Sequence, residues 1–91
     1  MAEKRMKLPI GNEELARGLV VSSAAAIGKI ARAARRAQGL TQLDVAGVGN
    51  TGNRFIVELE QGKPTLQLQK VLDALALVGL EVLIRRKGSG A

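Results

Sequence analysis

The string GNRFIVELEQG, residues 52–62, opens with two side chains whose donor patterns match the edges of nucleic-acid bases. A guanidinium such as that of Arg54 can give two N–H bonds to guanine O6 and N7, and a carboxamide such as that of Asn53 can pair with adenine N6 and N7. Val57 could meet a thymine methyl on the same face. Glu58 would accept from cytosine N4 or, close to phosphates, meet only repulsion. Lys63, just beyond the string's helical part, is placed to contact a phosphate, which would position the protein without specifying sequence.

Other chemistries are largely closed. The chain of 91 residues has no Cys and no His, which removes disulfides, thiol nucleophiles and the usual zinc sites. Serines and carboxylates remain, but no His is present to act as a base. The chain therefore reads as a binding protein and not an enzyme, with no metal and no cofactor. Its net charge is +6, and residues 1–40 hold eight Lys/Arg against three Asp/Glu. A small basic domain suits a polyanion partner, the alternative being a basic surface that serves solubility alone. No apolar run approaches the ~20 residues of a membrane span. The opening MAEKRMKLPIGNEEL is too polar for a signal peptide. Absence of Cys fits a reducing cytoplasm, and a nucleoid-associated protein there is the expectation.

Four helices must position these groups. SSAAAIGKIARAARRAQG, residues 22–39, carries Ile27, Ile30, Ala31 and Ala34 on one face and Lys29, Arg32, Arg35 and Arg36 on the other. Ser22 or Ser23 can cap it, and Gly39 sits where a C′ glycine belongs. TQLDVAGVG, residues 41–49, is a shorter helix with Thr41 as N-cap and Asp44 completing a capping box. NRFIVELEQ, residues 53–61, turns Phe55, Ile56 and Leu59 inward and ends at Gly62 and Pro64. TLQLQKVLDALALVG, residues 65–79, has a main stripe of Leu68, Val71, Leu72, Leu75 and Val78, with Leu66 and Leu77 on the opposite side. Residues 12–18 could add a turn or two of helix capped by Asn12.

LEVLIRR, residues 80–86, alternates and reads as a strand, with Leu80, Val82 and Ile84 on one face and Leu83 on the other. A lone strand leaves its ladder groups unpaired. It must pair with LVV at 19–21, with its own copy in a second chain, or with both. A core of small aliphatics with one Phe and neither Trp nor Tyr also favours a second copy. The expected layout is a flexible or loosely docked arm over 1–18, one domain over 19–86 and a flexible tail over 87–91.

Two short helices joined by a tight turn, the second with a polar outer face, form a helix-turn-helix. The turn needs a residue tolerant of positive φ, and both Gly and Asn qualify. Residues 23–79, with GLTQLDVA, RFIVELEQGKPT and LQKVLDALALVGLEVLI, resemble the Xre/Cro-like helix-turn-helix family. In that family a close-packed Ala and an inward Ile lie ten residues apart, as Ala46 and Ile56 do. The resemblance then puts the turn at Asn50, the buried residue after it at Thr51 and the N-cap of the second helix at Gly52. The Gly-Lys-Pro-Thr link, one further helix and a terminal strand look most like HipB-type antitoxins. The sequence departs from the family at Asn50 for Gly and at Gly52 for Ser or Thr.

The resemblance implies a mainly α, lambda-repressor-like domain of four to five helices whose C-terminal β-strand pairs across a homodimer. It implies a bacterial transcriptional repressor that binds palindromic double-stranded operator DNA and neutralises a HipA-type Ser/Thr kinase toxin; the alternative is a stand-alone Xre-family regulator. Bases would be read by Asn53, Arg54, Val57 and Glu58. The DNA backbone would be held by Thr41, Gln42, Thr51, Gly52 and Lys63. Arg35 and Glu60 would form a structural ion pair. Leu66, Leu77, Leu80, Val82, Leu83 and Ile84 would lie at the dimer contact, a kinase-binding surface being the second reading for Leu66 and Leu77. For Lys29, Arg32 and Arg36, a solvated face and a phosphate-facing rim both stay open.

Overall fold

The protein is described here by a computed structural model covering residues 17–88. Most of the expected turn of helix at 12–18 and of the arm over 1–18 lies outside the described residues, Arg17 being helical and Gly18 not, as does the end of the tail. Beyond Arg17, the described residues form four helices in order: α1 Ala24–Ala37, α2 Gln42–Gly49, α3 Asn53–Glu60 and α4 Leu68–Leu77. α1 packs on α3, α2 on α3, and α2 on α4.

The helix ends are set by local chemistry. Ser23, and not Ser22, caps α1, its hydroxyl accepting from the Ala26 N–H at 3.1 Å. Gly39 takes φ +72 beyond the other end. At α2 the capping box is complete: Asp44 N–H donates to Thr41 Oγ at 3.0 Å, and Thr41 N–H donates to the Asp44 carboxylate at 2.8 Å. The Thr41 main-chain N–H, and after it the Thr41 side chain, hold the Asp44 carboxyl below its ordinary range. α2 ends at Asn50 in the left-handed conformation, φ 55 and ψ 37, with the Thr51 N–H returning to the Ala46 carbonyl at 3.1 Å. Gly52 precedes α3 with no side-chain cap.

The core consists of Ala31, Ala34, Val45, Ala46, Ile56, Leu59, Ala74, Leu75 and Val78. Its helices meet through small residues. A Cβ on Gly28 would strike the Leu59 carbonyl oxygen and lie 2.9 Å from that of Glu60, so α1 rides directly on the main chain of α3. Gln38 ties the end of α1 to the end of α4, donating to the Ala34 and Val78 carbonyls at 3.1 and 2.8 Å.

Two expectations are corrected in the C-terminal third. α4 begins at Leu68, three residues later than the pattern suggests, because residues after Pro64 turn before the helix starts. Leu66 is thus outside the helix, so its angle on a helical wheel does not apply, and it packs against the core with Leu77 and Leu80. Leu77 is held by Gly49, where a Cβ would stand 2.6 Å from its Cδ1. Leu68, placed by angle on the inward stripe, is 70 % exposed. At the first helical position its side chain leans toward the N-terminus, beyond the first turn.

The second correction concerns the strand. Residues 80–86 form no strand within this chain, and among the described residues there is none. Leu80 closes onto α4, its N–H donating to the Leu75 carbonyl at 2.9 Å. From there Val82, Leu83 and Ile84 run exposed, Ile84 at 91 %. Ladder hydrogen bonds need a second extended segment, and LVV at 19–21, itself without strand structure, does not supply one.

Candidate nucleic-acid interface

The left-handed Asn50 lets the chain reverse between α2 and α3 in three residues, 50–52. Ala46 and Ile56, both buried, lock the two helices at the expected spacing. With Ile56 and Leu59 buried and Phe55 packed beside them, the opposite face of α3 is fixed outward. Asn53 and Arg54 are exposed on its first turn, and the Arg54 side chain is 88 % accessible. Val57 is half-buried, so less of it is available to a thymine methyl than a fully outward position would offer.

Glu58 is engaged. Its Oε2 accepts from Arg54 Nε at 3.2 Å and from Lys63 Nζ at 3.3 Å. The Arg54 bond, opposed by partial desolvation and joined by Lys63, keeps the Glu58 carboxyl ionised below its ordinary range.

Arg35 and Glu60 form the expected ion pair, bidentate at 2.6 and 3.0 Å. Arg35 is only 8 % exposed, so it belongs to the seam between helices and not to the basic back of α1. Its Nη1 donates to the Leu40 carbonyl at 2.7 Å. The hydrogen bond with Glu60 holds its pKa above the ordinary arginine range, against the lowering effect of burial. Gln42 joins the same carboxylate, its Nε2 donating to Glu60 Oε1 at 3.1 Å. The residue expected at a phosphate is therefore oriented from behind by the ion pair, with its remaining amide N–H still unassigned.

Thr41 is exposed and serves as the cap of α2. Gly52 is exposed at the N-cap of α3. Thr51 departs from its expected role. Its Oγ1 is buried and has no hydrogen-bond partner among the described residues, so the hydroxyl cannot reach a phosphate from this position. It faces the interior because the two-residue step from a left-handed Asn50 to the start of α3 turns it inward.

One neighbour was left undecided by the sequence. Arg32 lines a cleft of about 270 Å³ together with Gln42, Val57, Glu60 and Gln61. The signal for it is present in the spacing: Gly28, Arg32 and Arg35 lie at i, i+4 and i+7, so a residue between two that touch α3 must also face it. Lys29 and Arg36 are exposed elsewhere on α1. The result is one surface combining base-matching donors on α3 with Arg32, Gln42 and Lys63 around it.

No protein-family model matches the chain. It is 44 % identical over 68 residues to an uncharacterized HTH-type transcriptional regulator, y4mF, of Sinorhizobium fredii (strain NBRC 101917 / NGR234). The match covers 75 % of this chain and 90 % of that protein.

Proposed function

The chain belongs to the HTH-type transcriptional regulators, and from that premise we propose that it is a sequence-specific repressor that lays α3 in the major groove of operator DNA. The observation that carries this reading is the exposed Asn53–Arg54 pair at the start of α3, set by a left-handed turn against α2. Arg54 and Asn53 read base edges; Gln42, at the N-terminus of α2, and Lys63 meet phosphates. The protein acts as a homodimer in the bacterial cytoplasm, on palindromic sites. The exposed Val82, Leu83 and Ile84 support that assembly, since a strand there gains its ladder only from a second copy.

The finer reading is an antitoxin of the HipBA kind, which represses its own operon and binds a HipA-like Ser/Thr kinase toxin. It rests on the resemblance of the Gly-Lys-Pro-Thr link and the segment that follows it. The alternative is a stand-alone Xre-family regulator. A gene for a Ser/Thr kinase adjoining this one, whose product co-purifies with the chain, supports the antitoxin; an isolated gene supports the regulator.

The DNA reading is tested by selecting duplexes from a random-sequence pool and measuring binding of Arg54→Ala. The variant is expected to lose ~1–3 kcal/mol on the selected sequence and to relax specificity at one base pair. A loss spread evenly over all sequences would make Arg54 a phosphate contact only.

A further inference from the structure

Glu58 sits on the outer face of α3, where a carboxylate faces the phosphates of any bound duplex. Its contacts assign it a different task from reading a base. One oxygen, Oε2, accepts from both Arg54 Nε and Lys63 Nζ, at 3.2 and 3.3 Å. Lys63 is itself fixed to the same residue through the main chain, its N–H donating to the Glu58 carbonyl at 3.0 Å. The order is thus Lys63 to Glu58 to Arg54, running from the helix C-terminus toward its first turn. Helix stability does not explain the arrangement. A cation placed four residues before an anion is the weaker order for such a pair, and Arg54 stands near the positive end of the helix dipole.

Geometry does explain it. The Glu58 bond takes up Arg54 Nε, while no hydrogen bond of the described residues engages Nη1 or Nη2, and the side chain projects with 88 % of its surface accessible. An arginine held by Nε can still present its two Nη groups end-on to guanine O6 and N7. A free arginine on a helix surface must give up rotamer entropy to adopt that pose.

Resting on the DNA-binding reading above, we propose that Glu58 is a positioning residue: anchored by Lys63, it buttresses Arg54 through Nε so that the guanidinium end is presented to a base pair. Glu58 contributes to specificity through Arg54 and touches no base itself. Because it is negative, it also keeps non-specific affinity low.

The test uses the full chain and duplexes selected from a random-sequence DNA pool by the wild-type protein. Affinity is measured for the selected duplex and for one altered at the base pair that Arg54→Ala ceases to discriminate. Glu58→Ala is expected to lose about tenfold in discrimination at that base pair, within the range of one bidentate contact. Its affinity for unrelated duplexes should hold or rise. Glu58→Gln, whose carboxamide oxygen can still accept from Nε, should retain part of the discrimination. In an Arg54→Ala background, Glu58→Ala should change nothing at that position. Loss at a different base pair in that background would make Glu58 a base reader and overturn the buttress. Uniform tightening on every duplex, with discrimination intact, would leave it only a repulsive charge and overturn it equally. If the wild-type protein enriches no sequence from the pool, the DNA reading itself fails and the buttress falls with it.

Discussion

Asn50 is the single non-glycine residue with positive φ among those described, and it shows what a sequence discloses at this scale. Three glycines, at 47, 49 and 52, compete with it for the turn. The resemblance to the Xre/Cro-like family, whose ten-residue Ala-to-Ile spacing Ala46 and Ile56 match, implies Asn50 over them; composition alone does not. Thr51 shows the opposite. The same resemblance implies that it is buried, but nothing in the sequence says whether its hydroxyl finds a partner, since that depends on the placement of single atoms. The buried, unpartnered Oγ1 carries a desolvation cost that an isosteric methyl would not. Thr51→Val is therefore expected to raise stability by about 1 kcal/mol, read from urea unfolding followed by circular dichroism. A loss of stability would mean that the hydroxyl is hydrogen-bonded in solution.

Between elements, the contact of α1 with α3 combines a charged link and a close approach. Arg35 and Glu60 have side chains 10 % and 5 % exposed, so removing one strands the other. Glu60→Ala is expected to destabilise by ~3–5 kcal/mol, and adding Arg35→Met should recover part of that loss. Strictly additive effects in the cycle would show that the two residues do not interact in solution. Gly28 supplies the close approach. Gly→Ala in a helix interior ordinarily gains about 1 kcal/mol, but here the new Cβ meets main-chain oxygens of α3. Gly28→Ala should thus lower the melting temperature, the overpacking cost of ~1–3 kcal/mol outweighing the propensity gain. A raised melting temperature would mean that α1 and α3 can part freely. The pair at Arg35 was legible through the family pattern; the role of Gly28 was not, because a glycine inside a helical stretch reads only as a weakness until its neighbour is known.

For the molecule as a whole, the helices and their order were legible from periodicity and punctuation, as was the close of α4 at Gly79, whereas the start of α4 and the fate of residues 80–86 were not. Leu66 misled because a helical wheel assumes a helix that begins at Thr65. The alternating segment left its pairing open because strand propensity speaks for a conformation without naming its partner; within one chain it finds none among the described residues. Leu80 proves to pack against the chain's own core, so a clean test of assembly must spare it. Truncation after Leu80, or Leu83→Asp with Ile84→Asp in the full chain, is expected to leave the helical fold in place while the dimer dissociates and operator binding weakens. Sedimentation at equal concentrations reads the first effect. The intact chain should protect two half-sites about 34–36 Å apart or a multiple of that. Variants that still sediment as dimers would move the interface away from this segment.

The seat of α3 on α1 has a consequence for how such a protein can change over generations. At Gly28 the separation of the two helices is fixed by peptide groups, which are the same whatever side chains surround them. Asn53 and Arg54, exposed on the first turn of α3, lie away from that contact. On the proposed reading, substitutions at these two positions alter which duplex is preferred without shifting the height or tilt of the helix that carries them. If so, preference and architecture are written in separate sets of residues, and a new target is acquired by exchanging a few outward side chains on an unchanged scaffold.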